Sequence, residues 1–449
     1  MAKSGRAGPG RRERRHGEGG NYNRGGGGRG RRRLERNDQN RRNRNRDNRN
    51  QRGREFGSVR FPKDVFFATC HPGLEHVVAK ELLNLEGVHN VVEGRAGVNF
   101  CGDSSSRYSA NLNLRSSVRV LELIAEGELD VSAGAGNSVY NFARQIDWPR
   151  YIERGSTFKV KSVVYDNTEV TNSLLVSKRT RDAVCDTLRD DSGFRPEDPR
   201  DRAPDVPLQV VIYRDFARVY LDTSGESLHK RGYRTINHKA SLNEAAAAGL
   251  LQIAGVGPTA SIMDPMCGSG TFLIEAALVM TRTAPGIYRE RWPFERWPDF
   301  SEEQWETAIA KAEDLILDPE TVLARGGMCL GNDIHPSALA LAKADARKAS
   351  LSGLISFNQG SCESWRPAGV SQPDLVITNP PWGERLNDDN LAHSWRELGN
   401  FLKMECSGAD AYVLSGSRTL TQHLRLAAKR KHKVTLGGID CRLLQYQIF

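Results

Sequence analysis

Asp374-Leu375-Val376-Ile377-Thr378-Asn379-Pro380-Pro381-Trp382-Gly383-Glu384-Arg385-Leu386 is the stretch whose reading decides the fold. Its short apolar run, Leu375 to Ile377, has the length and flanks of a buried strand, and the two prolines stop that strand because neither can donate to a ladder. An amide side chain and an aromatic ring are thereby left at a strand's carboxyl end, where open α/β sheets hold their ligands. Asn379 offers an amide oxygen, Pro380 a carbonyl, and Trp382 a flat face. Together they suit a planar base that carries an amine. Taken alone, the same residues are more simply a Pro-Pro turn with Trp382 as core filling.

A second stretch shifts that balance. Asp264-Pro265-Met266-Cys267-Gly268-Ser269-Gly270-Thr271 follows the short strand Ser261 to Met263 and precedes a helical run, Phe272 to Met280. Glycines in such a turn let a ligand approach the backbone, and the helix start presents free N–H groups. The next strand, Met328 to Asn332, ends in Asp333, whose carboxylate suits a pair of ribose hydroxyls. In dinucleotide-binding folds that acid follows the glycines by about 20 residues. Here the long insertion 281–327, with Trp292, Trp297 and Trp305, intervenes, which favours a nucleoside cofactor over NAD.

Around these motifs, strands and helices alternate from Leu242 to the end, the pattern of a mostly parallel sheet covered on both faces. Upstream, Val65 to Thr69, Val98 to Cys101 and Val118 to Ala125 read as strands, with a further one near Val88 to Val92. Gly73 to Leu85 and Ser105 to Asn113 read as helices. That order is ferredoxin-like. A second mixed unit follows: a helix around Tyr140 to Ile146, a strand Thr157 to Val164, a helix Ser173 to Leu188, and strands Leu208 to Tyr213 and Phe216 to Leu221. Lys178, Arg179 and Arg181 on the 173–188 helix are candidates to face phosphate, although helix faces are often charged simply because they are wet.

The chain has 449 residues and a formal charge of +9, placed unevenly. Residues 1–54 hold 19 Lys and Arg against 5 Asp and Glu, a local +14 that leaves the other 395 residues at −5. This Arg/Gly-rich segment lacks the apolar surface to offset its ordering entropy, so disorder and loose, salt-sensitive RNA tethering are expected. No apolar run approaches the ~20 residues of a membrane span. Eight scattered cysteines without Cys-x-x-Cys pairs imply free thiols and no metal site, hence a reducing compartment. A cytoplasmic location is expected, with organellar import left open by the Arg-rich tail.

With these residues in view, the chain resembles the THUMP-domain RNA guanine-N2 methyltransferases, the RlmL type above all. Besides the two strand-end motifs, Pro72-Gly73-Leu74-Glu75, Arg231-Gly232-Tyr233-Arg234 and Ala284-Pro285-Gly286 match that family. The resemblance covers roughly residues 60 to 449. It implies an α/β chain with a disordered basic tail over 1–56, a ferredoxin-like domain over 57–130, a THUMP RNA-binding domain over 131–225 and a Rossmann-like class I methyltransferase domain over 226–449. It implies S-adenosylmethionine as cofactor and guanine N2 of large-subunit (23S) rRNA as acceptor, leaving open a tRNA guanine, an adenine N6 or glutamine amide, or a non-catalytic ribosome-assembly factor.

Carried over by position, Asp264, Cys267, Gly268 and Gly270 line the methionine end of the cofactor, Asp333 holds the ribose, and Ile334 packs on the adenine. The family often places an acid near the adenine amine at about Ser361, where this chain reads Ser361-Cys362-Glu363. Asn379, Pro380 and Trp382 are the expected catalytic residues. Trp382 stands where the family often has Tyr.

Overall fold

The computed structural model describes residues 59–449, except 198, 200, 201, 235, 237–240, 368–372 and 383–387. The basic tail and the Gly383-Glu384-Arg385-Leu386 end of the opening stretch therefore lie outside the described residues.

Alternating burial makes strands of the front half. In β1, Val65–Cys70, every second side chain is buried, and Phe66 and Ala68 turn into the core. With α1 (Glu75–Leu83), β2 (His89–Gly94), β3 (Gly97–Cys101), α2 (Ser104–Asn113) and β4 (Ser117–Glu128), it forms an antiparallel sheet in the order β2-β3-β1-β4. This is the expected ferredoxin-like arrangement. The mixed unit adds α3 (Ala135–Ala143), β5 (Phe158–Tyr165), α4 (Ser173–Ser192), β6 (Val206–Tyr213) and β7 (Phe216–Asp222). Strands β4 and β7 pair antiparallel, so both units share one seven-stranded sheet, β2-β3-β1-β4-β7-β6-β5.

One helix departs from expectation. The stretch around Tyr140 to Ile146 is helical earlier, over Ala135–Ala143, because Gly134 at φ +83° opens it and the chain tightens beyond it toward Trp148. Ile146 and Trp148 are still buried, but from turns rather than from the helix.

The back half alternates as expected: α5 (Glu244–Ala254), β8 (Ser261–Asp264), α6 (Thr271–Met280), α7 (Glu302–Glu313), α8 (Pro319–Ala324), β9 (Met328–Asp333), α9 (Pro336–Lys348), β10 (Ile355–Gln359), β11 (Leu375–Thr378), α10 (Asp388–Glu405), β12 (Asp410–Ser415), β13 (Arg430–Leu436) and β14 (Ile439–Gln447). Its sheet runs β10-β9-β8-β11-β12-β14-β13. The first five strands are parallel, and the last two form an antiparallel hairpin on β12. Strand order reverses between β8 and β11, which is the switch point where such sheets bind ligands.

The motifs outside the two strand ends are structural clasps between front and back. Thr435 N–H donates to the Pro72 carbonyl at 2.9 Å. Gly73, at φ +99°, lies so close to the Lys433 carbonyl that no side chain fits there. Gly286 N–H donates to the Leu112 carbonyl at 2.9 Å. The tryptophan-rich insertion is glue of the same kind, since Tyr108 of α2 packs on Phe294, Phe300 and Trp305. Arg107, beside it, bridges Glu122 and Asp299. At the junction, Arg231 is buried and donates to Glu275, Leu228 O and Arg115 O, while Tyr233 donates its hydroxyl to the same Glu275.

Candidate active site

The glycine-rich turn leaves β8 at Asp264 and enters α6 at Thr271. Gly268 (φ +53°) and Gly270 (φ +73°) both sit in the left-handed region. A side chain at Gly268 would point into open space, whereas one at Gly270 would press on Ala342 and Phe357 at 3.1 and 3.3 Å. Gly268 thus borders the site opening, and Gly270 is needed for the turn and its packing. Asp333, at the end of β9, braces this turn. Gly268 N–H donates to one of its carboxylate oxygens and His335 N–H to the other, both at 2.8 Å.

Asp264 is buried, and desolvation pushes its carboxyl up to about 7. Asp333 adds to the shift, while the Thr378 hydroxyl and the Met266 N–H ease it. The Cys267 thiol is also driven well above its usual range by burial, then by the two aspartates. That keeps it protonated and unreactive.

Asn379 stands on the neighbouring strand end. Register places Leu375 against Ile262 and Val376 against Met263, and adjacent strands lie ~4.8 Å apart. The two motifs are therefore side by side, which the sequence reading required of donor and acceptor pockets. The Trp382 indole N–H donates to Asn379 Oδ1 at 2.8 Å. Because the indole is donor-only, this contact assigns the amide oxygen, not the nitrogen, to the Trp382 side. That oxygen retains a second lone pair. Trp395 Nε1 donates to the Pro381 carbonyl at 2.8 Å, and among the described residues no donor reaches the Pro380 carbonyl. Trp382 is half-buried and rests on Gly416, where a Cβ would come within 2.9 Å of the ring.

Ile334 follows Asp333 with 60% of its surface exposed, an apolar side chain with nothing on it. Ser361 lies past β10 and donates its hydroxyl to Glu397 Oε1 of α10 at 3.0 Å. The Glu363 carboxylate accepts from Asn400, also on α10, at 2.8 Å rather than from Ser361. The carboxylate beside Ser361 therefore comes from α10 and not from the local sequence.

Two residues of this region, Asn332 and Glu397, went unread in the sequence, and a third, Arg234, was read only as part of the junction motif. Asn332 is fully buried; its amide donates to Pro265 O and Gly360 O, and its oxygen accepts from Asn358, so it ties three strand ends together. An asparagine inside an apolar strand was its one signal. Glu397 gave none. Arg234 donates to Ser269 Oγ at 3.2 Å and Thr271 Oγ1 at 2.6 Å while paired with Glu244, so the junction motif reaches the glycine turn itself.

The residues fit a nucleoside donor. There is open space over Gly268, an uncovered Ile334, two carboxylates and a polar rim at Ser361.

Comparison with known proteins bears on the same regions. Family models match residues 65–121 as the RlmL ferredoxin-like domain, 137–222 as the THUMP domain and 231–445 as the RMKL-like methyltransferase domain. The chain is 36% identical over 392 residues to the ribosomal RNA large subunit methyltransferase K/L of Allochromatium vinosum, covering 86% of this chain and 52% of that protein. It thus spans about half the length of the curated K/L relatives it matches. It is 32% identical to a Synechocystis protein provisionally named RNA methyltransferase slr0064, covering 86% of this chain and 97% of that one. Among solved structures, SMU.472, provisionally a methyltransferase and complexed with SAH, superimposes with a TM-score of 0.75 at 26% identity, covering 86% of this chain and 99% of that one. With a relative matched along nearly its whole length and all three domain models in order, the chain belongs to the RlmL-type family of THUMP-domain RNA methyltransferases.

Proposed function

We propose that this protein methylates the exocyclic N2 amine of a guanine in large-subunit ribosomal RNA, in the cytoplasm, with S-adenosylmethionine as donor. The observation that carries the reading is the adjacency of Asn379 to the glycine turn on paired parallel strands. Supporting it are the names of the K/L relatives and the SAH bound to a structural neighbour.

Asp264, Cys267, Gly268 and Gly270 would line the methionine end of the donor, Asp333 the ribose and Ile334 the adenine face. Ser361, with Glu397 behind it, would meet the adenine amine. When bound, the donor supplies an electrophilic sulfonium methyl.

The protein's task is to aim a poor nucleophile. The N2 lone pair of guanine is delocalised into the ring, so the amine must be held with that pair directed at the methyl. Asn379 Oδ1 and the Pro380 carbonyl accept its two N–H bonds, and the Trp382 ring supports the base. Such positioning supplies ~7 to 11 kcal/mol. Held by these residues, the nitrogen would take the donor's methyl, with the C–S bonding pair kept by sulfur. The methylated nitrogen then loses a proton to solvent, without a strong base. Extruding the base costs a few kcal/mol, which RNA contacts by the front half offset.

Nucleoside mass spectrometry of ribosomal RNA and tRNA from cells with and without the protein tests the reading. A single N2-methylguanosine missing from large-subunit RNA is expected. Loss from tRNA alone would overturn the acceptor assignment. Asn379→Ala should abolish transfer while donor binding survives, and wild-type turnover in that variant would remove Asn379 from the mechanism.

A further inference from the structure

A cavity of about 710 Å³ lies in the seam between β5 and β6 of the front sheet, the 224–234 junction and the 288–296 part of the insertion. Nine Lys or Arg line it against five Asp or Glu. This is a local excess of +4 in a body whose net charge is −5 outside the tail. The excess is not distributed by chance along one element. It is assembled from four segments, two of which are joined at Asp205, whose carboxylate accepts from Arg296 and whose carbonyl accepts from Trp297.

Several of these cations are already committed. Arg231 belongs to the buried Glu275 network. Arg202 and Arg296 both pair with Asp205, and Lys230 pairs with Glu226. Arg289 donates to the carbonyls of Ser224 and Ser227 and stacks on Trp292 at 4.2 Å. Lys159, Lys161 and Arg291 are different: all three are exposed, and none has an ion pair among the described residues. Lys159 and Lys161 share one face of edge strand β5, about 7 Å apart along the strand.

Burial is the main cause of the lowered values of two of the seam's cations: Lys161, where Arg119 adds to the shift and Asp222 opposes it, and Arg289, lowered to about 10, where Glu226 and Asp222 oppose the shift and Arg231 and Arg119 add to it. The local excess of cations is what a polyanion would offset.

Arg234, which donates to Ser269 and Thr271 of the glycine turn, also lines the cavity. The seam and the candidate active site thus share a residue. By contrast, Arg179 on the expected phosphate-facing helix is spent on Gly136 O and the Tyr140 ring.

We propose that this seam is a phosphate track in which Lys159, Lys161 and Arg291 hold the RNA strand flanking the target guanine. The proposal rests on the RNA-methylation reading for its ligand and adds the site that grips it. The contacts are to backbone phosphates, so they set register and orientation without reading bases.

The test uses the full-length protein with deproteinised ribosomal RNA as probe, titrated with salt. Lys159→Ala/Lys161→Ala/Arg291→Ala removes only exposed side chains. It should lower the slope of log Kobs against log salt by about 2 to 3 and raise KM for RNA about tenfold. The turnover at saturating RNA and the donor affinity should stay unchanged. Lys80→Ala/Lys311→Ala/Lys429→Ala removes the same charge from other exposed positions and should change neither slope nor KM. An unaltered slope in the seam variant, or equal losses in both variants, would overturn the track. If the wild-type protein methylated no RNA, the functional reading would fall, and the salt slope would still decide the track.

Discussion

The indole N–H of Trp382 is hydrogen-bonded to Asn379 Oδ1 at 2.8 Å. A ring expected only to support a base therefore also aims the amide that would receive its amine. Trp382→Phe keeps an aromatic face but deletes the N–H. Loss of one such bond costs about 1 kcal/mol, hence roughly a five- to tenfold drop in kcat. KM for RNA and donor affinity should hold, because the stacking face remains. A Phe variant with full kcat would reduce Trp382 to a stacking surface; steady-state kinetics decide it.

Asp264 gives a pH signature. Its carboxyl is pushed up to about 7 in the fold by burial, while in the unfolded chain it ionises near 3.9. Between those values the unfolded chain holds fewer protons, so stability falls as pH rises and the deficit is complete above about pH 7. Asp264→Asn should then melt at a higher temperature than wild type at about pH 8 and match it at about pH 4. A cationic donor favours the ionised carboxylate, so wild-type donor affinity should rise across neutrality and the variant's should not. Thermal melts and calorimetry at several pH values check both.

Glu397 is expected to serve the donor through Ser361, which it accepts from at 3.0 Å. Glu397→Gln should weaken donor binding by roughly five- to twentyfold, the cost of losing a charge-assisted hydrogen bond. Adding Ser361→Asp to that variant should restore affinity by moving the carboxylate into the strand-end position. Failure of the double variant to recover would detach Glu397 from the adenine side.

Arg231 and Glu275 are 1% and 0% exposed, and the pair sits where the front half meets α6. Arg231→Met leaves Glu275 charged and buried, at a cost of about 3 to 5 kcal/mol. Arg231→Met/Glu275→Leu should recover much of that loss. Chemical denaturation of the three proteins measures it.

Much of this was legible because it is local. The strand-turn pairs at Asp264 and Asn379 announce themselves through a short apolar run followed by glycine or proline, and both fall at β-strand ends as read. The helix near Tyr140 was misplaced because Gly134, not an apolar period, sets its start. Side-chain partnerships across the fold were not legible. Trp382 with Asn379, Ser361 with Glu397 and Asn332 with three strand ends depend on which loops come together. The seam is the extreme case, since the cations that have no ion pair among the described residues lie 130 residues apart, at Lys161 and Arg291.

The shared front sheet and its bolts to the catalytic half have one further consequence. Pro72, Gly286 and Arg231 each tie one half to the other. On the proposed function, these ties would set the span between the phosphate track and the methyl-transfer pocket, so that the molecule would work as a calliper, choosing its nucleotide by how far that base lies from a gripped landmark on the RNA; a substrate helix lengthened by one base pair would then present the wrong residue.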